Sequence, residues 1–185
     1  MLLYLKYLIQ IILSPSNGWE DVRTSNPSEG WMLRRGFLPL LIVSALSEFL
    51  GLCYNKGYTF DILLIKALID FGSYYLALFI GRVIMEMYVS RLVVCDDRAE
   101  IKKRGEIFLL LGLGEMLVMQ IIFNIFQADI TLLRFLPIYN VLIIYKAADF
   151  MRVSADKLML FTLVASVAVV VVPLVIYNLM NAIIL

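Results

Sequence analysis

The stretch DILLIKALIDFGSYYLALFIGRVIMEMYVSR, residues Asp61–Arg91, decides the fold of this chain. It is long and apolar enough to cross a membrane, yet it carries the charged residues Lys66, Asp70, Arg82 and Glu86. A charged side chain at the centre of a membrane helix costs about 2.5–3.5 kcal/mol on insertion scales, so such residues normally face protein or a wet cavity. The stretch therefore predicts an inner helix of a membrane-embedded bundle.

Small residues recur along one face of the same stretch. Ser73, Ala77 and Gly81 follow one another at intervals of four and share the face of Asp70 when the segment is helical. Because small residues let a second helix approach closely within lipid, this face predicts a helix–helix contact.

The composition places the whole chain in the membrane class. Hydrophobic residues make up 62% of its 185 residues, well above the roughly 45–50% of soluble domains. The net charge of +1 gives no basic face for a nucleic-acid partner, and histidine, the commonest general base and metal ligand, is absent. We therefore expect a non-enzymatic protein without a cofactor or metal.

The apolar segments predict an all-α integral membrane protein that forms a single domain over residues 1–185. The five predicted spans cover residues 33–54, 61–91, 107–126, 130–148 and 158–185. Residues 2–13 are too short to cross a core of about 30 Å and predict a helix in the membrane interface. Residues 14–30 predict a polar cytoplasmic segment.

The basic residues predict the orientation of these spans. Twelve of the sixteen lysine and arginine residues fall on the side of the N-terminus, in three short segments. Basic residues in short loops favour the cytoplasm, so we expect the N-terminus inside the cell and the C-terminus outside it.

Four charged residues within the predicted spans form the candidate polar cluster: Glu48, Arg82, Glu86 and Glu115. Arg82 and Glu86 lie four apart and can pair, or they can extend to the cytoplasmic headgroups; Lys66 and Asp70 have the same choice near the outer end. Glu115 lies too deep to reach either surface. A protonated structural carboxyl, an ion pair and a transport site all remain open for it. We expect Arg82 to be its partner, since Arg82 lies nine residues above Arg91 and Glu115 nine above Glu106.

The run Asp96–Glu100 resembles the acidic diphosphate–magnesium motif of membrane prenyltransferases. A second acidic motif should face the first in such an enzyme, and the sequence offers only the scattered Asp149 and Asp156. A charged cytoplasmic linker is the better interpretation.

The N-terminal pattern resembles the Yip1 family. An apolar stretch is followed by Pro15, then by Trp19 four residues on and by the aliphatic Val22, which is similar to the start of small bacterial members of that family. We expect both Trp19 and Trp31 at headgroup depth. The resemblance implies a five-span protein of the bacterial inner membrane, with Pro15 and Trp19 as family-pattern positions.

Two classes of function fit these observations. The first is a membrane scaffold or interaction protein, whose partners would be the lipid bilayer and a protein or anionic lipid at the cytoplasmic face. Self-association of several copies is also compatible with it. The second is a small transporter or channel in which Glu48, Arg82 and Glu115 line a polar path. They differ in whether those charges satisfy one another or face a continuous wet cavity.

Overall fold

A computed structural model describes residues 1–55, 57–88, 92–93, 97–126 and 136–184. Seven helices account for nearly all of these residues, and no strand occurs among them apart from a single bridge between Val93 and Val153. In chain order the helices are α1 Leu2–Leu13, α2 Pro15–Ser25, α3 Glu29–Tyr54, α4 Phe60–Met87, α5 Arg98–Phe126, α6 Leu136–Met151 and α7 Ala155–Ile184.

Four helices are long and apolar enough to cross a membrane, which identifies a multi-pass membrane protein. They are α3, α4, α5 and α7, with 26 to 30 residues each. The span predicted at 130–148 corresponds to α6, which has 16 described residues, while residues 130–135 lie outside the described part of the chain. The structure therefore supports four spans by length and composition and leaves the fifth as a prediction.

Several predicted boundaries differ from the observed ones. α4 ends at Met87 rather than at residue 91, and α5 begins at Arg98 rather than at residue 107. The first span begins at Glu29 and the last at Ala155, three to four residues earlier than predicted. The predicted third span covered only the apolar run that begins at residue 107, whereas charged residues extend α5 by two turns before it.

The early start of α5 has a local cause. Asp97 accepts a hydrogen bond of 2.9 Å from the backbone N–H of Ala99 at the start of the helix, and Glu100 pairs with Arg104 one turn further on at 2.6 Å. Side chains of these types stabilise a helix terminus and an exposed helical turn. Asp97, part of the acidic motif considered above, thus stabilises a helix start, while Asp96 lies outside the described residues.

Proline is accommodated in two spans by a widened turn. A five-residue π-helical turn, Leu33–Phe37, comes just before Pro39, and a second, Val167–Val171, comes just before Pro173. Proline lacks an N–H and its ring crowds the carbonyl four residues back, so a wider turn before it relieves both problems.

The most enclosed helix in the described part of the chain is α5, whereas the sequence singled out α4 as an inner helix. Every residue of α5 from Ile107 to Leu117 is buried. α4 does bury its predicted stripe, in which Gly81 lies against Leu109 of α5 and the Ala168 carbonyl of α7. However, its opposite face is apolar and exposed, as at Leu68 and Phe79, and this face fits contact with lipid.

Helices α1 and α2 form a tight hairpin at the N-terminus. A side chain at Gly18 would lie 2.6 Å from the backbone of Ile11, so only glycine allows this approach. α2 begins with Pro15 in its first turn and ends at Asn26, which has a left-handed backbone with φ of 42°. Both residues favour helix ends, which explains where the helix within the predicted polar segment begins and stops.

Tyr4 fixes this hairpin to the bundle. Its ring lies against Gly36 of α3 and its hydroxyl against Gly114 of α5, where a larger residue would overlap it. The hydroxyl donates a hydrogen bond of 2.5 Å to the carbonyl of Leu110. Burial raises the pKa of Tyr4, so the hydroxyl keeps the proton that this bond requires. Gly114 therefore serves close packing between α1 and α5.

Candidate functional sites at the two ends of the bundle

The two ends of the bundle differ in their polar groups. We call the end where α4 finishes and α5 starts the Met87 end, and the end where α3 finishes and α4 starts the Tyr54 end. Each has a cavity with charged residues at its wall, and α4 and α5 contribute to both.

The Met87 end contains a cleft of about 1070 Å³. Its walls come from the start of α3 and from the facing halves of α4 and α5. Apolar side chains, among them Phe79, Val83 and Leu109, line part of the cleft, and exposed Arg98 and Lys102 lie four residues apart on α5. Within the described residues neither of these two basic side chains forms an ion pair.

Arg82 lines this cleft and pairs with Glu106, not with Glu115 as predicted. Its Nε lies 2.9 Å and 2.8 Å from the two carboxylate oxygens of Glu106, and its Nη2 contacts one of them as well. The side chain of Arg82 is 37% exposed and that of Glu106 is 16% exposed, so the pair lies at the edge of the core. Glu86 lines the same cleft.

The wrong partner follows from the wrong boundaries. Counting from residues 91 and 106 had placed Arg82 and Glu115 at equal depth. Those reference points were wrong, because α4 ends at Met87 and α5 begins at Arg98, and the carboxylate that Arg82 reaches is that of Glu106. Glu115 is buried, and its Oε1 has no hydrogen-bond partner within the described residues.

The Tyr54 end contains a buried polar cluster around Glu48. Glu48 Oε1 accepts hydrogen bonds from Gln120 at 3.1 Å and from Asn124 at 3.0 Å. Asn124 also donates to the hydroxyl of Ser47 at 2.8 Å, and Ser47 donates to the carbonyl of Ser44. α3 and α5 are thus joined by a continuous hydrogen-bond network within the bundle.

Asp70 extends this cluster to α4. Its Oδ2 accepts a hydrogen bond of 2.9 Å from the hydroxyl of Ser44, while its Oδ1 has no partner within the described residues. The residue is 0% exposed. Tyr177 of α7 lines the same cavity as Glu48, which lies one helical turn after Ser44 on α3. We call Ser44, Ser47, Glu48, Asp70, Gln120, Asn124 and Tyr177 the Glu48–Asp70 cluster.

A second cavity, of about 220 Å³, opens beside this cluster. Glu48, Tyr177 and Lys66 line it. Lys66 donates a hydrogen bond of 2.9 Å to the hydroxyl of Tyr58 and lies 4.2 Å from the centre of that ring. Of the two alternatives for Lys66 and Asp70, the structure does not show pairing, since Lys66 donates to Tyr58 and Asp70 accepts from Ser44.

The four candidate residues thus occupy separate places. Arg82 and Glu86 line the cleft at the Met87 end, Glu48 belongs to the cluster at the Tyr54 end, and Glu115 lies between. The sequence interpretation missed the neutral partners of Glu48. Gln120 and Asn124 recur at a spacing of four on α5, and that spacing was the available signal.

Trp19, a family-pattern position, is buried within protein. Its Nε1 donates to the carbonyl of Ile143 on α6 at 3.1 Å, and its ring stacks on Phe108 and Phe150 with centroid distances of 5.8 Å and 5.3 Å. Pro15 begins the helix that carries it. These two positions therefore place α2 against α5 and α6.

Comparison of the chain with protein-family models, with curated proteins and with solved structures finds no match. The fold and the two sites define the class: an all-α, multi-pass membrane protein with a charged cleft at one end and a buried carboxyl cluster at the other.

Proposed function

We propose that this chain is a non-enzymatic membrane protein of the scaffold or interaction type, and that the cleft at its Met87 end binds an anionic phospholipid. The cleft carries the proposal because it combines the two surfaces that a phospholipid needs. Arg98 and Lys102 provide exposed positive charge for the phosphate, and Phe79, Val83 and Leu109 provide an apolar wall for an acyl chain.

The proposed topology places this cleft at the cytoplasmic leaflet. Arg98, Lys102, Lys103 and Arg104 all belong to the first two turns of α5, at the Met87 end. Basic residues of this kind favour the cytoplasm, where anionic lipids also create a negative surface potential. In this arrangement α6 belongs to the fifth span, the N-terminus is cytoplasmic, the C-terminus is extracytoplasmic and α1 lies in the interface. The membrane is the bacterial inner membrane.

Membership of the Yip1 family is part of the same proposal. It rests on the order of elements, a short apolar helix followed by Pro15 and Trp19 and then by the spans. The burial of Trp19 against α6 gives this pattern a structural purpose, because it joins the N-terminal hairpin to the bundle. Binding of a protein partner at the cytoplasmic face remains compatible with a lipid in the cleft.

The test is the affinity of the purified full-length protein for phosphatidylglycerol, followed by native mass spectrometry, with phosphatidylcholine as the zwitterionic comparison. Each basic residue near an anionic surface contributes about 1 kcal/mol, so the Arg98→Gln/Lys102→Gln variant should bind phosphatidylglycerol about thirtyfold more weakly. The matched control is Arg34→Gln/Arg35→Gln, which removes two exposed charges at the start of α3, outside the cleft lining. Equal losses in both variants would reject the cleft as the site.

A small transporter or channel is the second candidate, and the Glu48–Asp70 cluster favours it. Intramembrane carboxyl groups of this kind occur along ion and proton pathways. The described hydrogen bonds and ion pairs do not connect Glu48, Arg82 and Glu115 into one path, which favours the first candidate. A proteoliposome flux assay with Glu115→Gln as a variant tests the second: flux that this variant abolishes would establish transport.

A further inference from the structure

We infer that the Glu48–Asp70 cluster is a binding site for one small, hard monovalent cation of the Na⁺ class. This site is distinct from the proposed lipid cleft, since it lies at the opposite end of the bundle. The first observation is the unsatisfied oxygen of Asp70. A fully buried carboxylate oxygen without a hydrogen-bond partner is costly, and a bound cation removes that cost.

The donor set matches a hard cation. Carboxylate and hydroxyl oxygens of α3 and α4 belong to one hydrogen-bond network, in which Ser44 donates to Asp70 and Asn124 joins Ser47 to Glu48. The hydroxyl of Tyr177 on α7 belongs to a residue that lines the same cavity as Glu48. Oxygen donors of this type suit hard metal ions and not soft ones. Histidine is absent from the chain, and the described part has no group of three or more histidine, cysteine, aspartate and glutamate side chains, which argues against a transition metal.

The charge count selects a monovalent ion. Glu48 and Asp70 contribute two negative charges, and Lys66, which lines the adjoining cavity, contributes one positive charge. The net charge of −1 is cancelled by one monovalent cation, whereas a divalent ion would leave an excess positive charge inside the membrane.

The neutral partners leave room for the ion on the carboxylates. Gln120 and Asn124 donate to the same oxygen of Glu48, and Ser44 donates to one oxygen of Asp70. These donors hold each carboxylate in position through one of its two oxygens. The other oxygen of each carboxylate is then available to the ion. The cavity of about 220 Å³ beside Glu48 provides an entry route from the Tyr54 end.

The experiment measures the thermal unfolding midpoint of the full-length protein in detergent, with NaCl replaced stepwise by choline chloride at constant ionic strength. At Na⁺ concentrations near one hundred times the dissociation constant, we expect the midpoint to rise by about 5 to 10 °C and to saturate. CaCl₂ at equal ionic strength should give a smaller rise. The Asp70→Asn variant should lose the Na⁺-dependent rise, while Glu115→Gln, which changes another buried carboxyl, should keep it.

Binding of ²²Na⁺ to the wild-type protein and to Ser44→Ala provides a second measurement, because Asp70→Asn can fail to fold. Ser44→Ala keeps both carboxylates and should bind ²²Na⁺ more weakly. Three results would overturn the inference: equal midpoints in Na⁺ and choline, a larger rise with Ca²⁺ than with Na⁺, or a midpoint that depends on pH and not on Na⁺. The last result would mean that a proton, and not a metal ion, neutralises the cluster.

Discussion

The contact between Tyr4 and Gly114 allows a prediction with an internal control. An alanine at position 114 would place its methyl group on the Tyr4 hydroxyl and force the ring away. The lost hydrogen bond to Leu110 costs about 0.5–1.5 kcal/mol and the overpacking about 1–3 kcal/mol. Alanine regains about 1 kcal/mol of helix propensity. We therefore expect Gly114→Ala to lower the free energy of unfolding by about 1–3 kcal/mol.

Removing the hydroxyl should rescue this variant. In Gly114→Ala/Tyr4→Phe the nearest remaining ring atom, Cζ, lies 3.1 Å from the new methyl group, which a small shift accommodates. The double variant should then be at least as stable as Gly114→Ala, with a favourable coupling of about 1–2 kcal/mol. Titration with SDS in micelles, followed by circular dichroism, measures these free energies.

The Gly36→Ala variant distinguishes a clash with the Tyr4 hydroxyl from a general loosening of the hairpin. At Gly36 the overlap is with Cγ and Cδ2 of the Tyr4 ring, atoms that phenylalanine keeps. Tyr4→Phe should therefore fail to rescue Gly36→Ala. Gly30→Ala, where a new methyl group meets no atom within 4 Å, should leave stability nearly unchanged. Rescue of both core variants alike, or of neither, would refute the proposed packing of Tyr4.

Three further predictions concern the ion pair, the topology and the hairpin. Arg82→Glu and Glu106→Arg should each destabilise the protein, and the double reversal should recover about 1 kcal/mol of the unfolding free energy. The pair is 37% exposed on its arginine side and so lies between surface and buried cases. A double variant no more stable than the sum of the two single effects would contradict the pairing. Cys53, which is exposed, should react with an impermeant thiol reagent from outside intact cells, and a reporter fused after Leu185 should be active outside the cytoplasm; cytoplasmic activity would reverse the proposed orientation. Trp19→Phe should lower the unfolding free energy by about 1 kcal/mol, measured by SDS titration, because it removes the bond to α6 but keeps the aromatic stacking; an unchanged value would show that this bond does not stabilise the hairpin.

The sequence predicted α1 with its observed bounds, because an apolar run that ends at Ser14-Pro15 has one clear stop. It missed α2, whose buried face consists of only Gly18, Trp19 and Val22 among polar residues. It also placed the start of α5 too late in the chain. Hydropathy identifies the apolar part of a helix, and the first turns of α5 are charged.

The candidate sites were harder to predict than the spans. Charged residues were identified by their cost in lipid, which located Glu48 and Arg82, but that cost does not reveal which helix provides the partner. Neutral residues such as Gln120 and Asn124 carry too small a cost to stand out, although they satisfy Glu48. The predicted partner depended on how the ends of two helices align, and the predicted ends differ from the observed ones by four residues in α4 and by nine in α5.

The N-terminal hairpin has a consequence for how the chain is assembled during synthesis. Tyr4 bonds to a residue 106 positions later, and Trp19 to one 124 positions later. At about 5–20 residues per second, the ribosome needs about 6–25 s to make the chain between Trp19 and its acceptor. The first part of the protein to leave the ribosome is therefore among the last to reach its final contacts, and the slot between Gly36 and Gly114 is complete before the tyrosine that fills it can settle there.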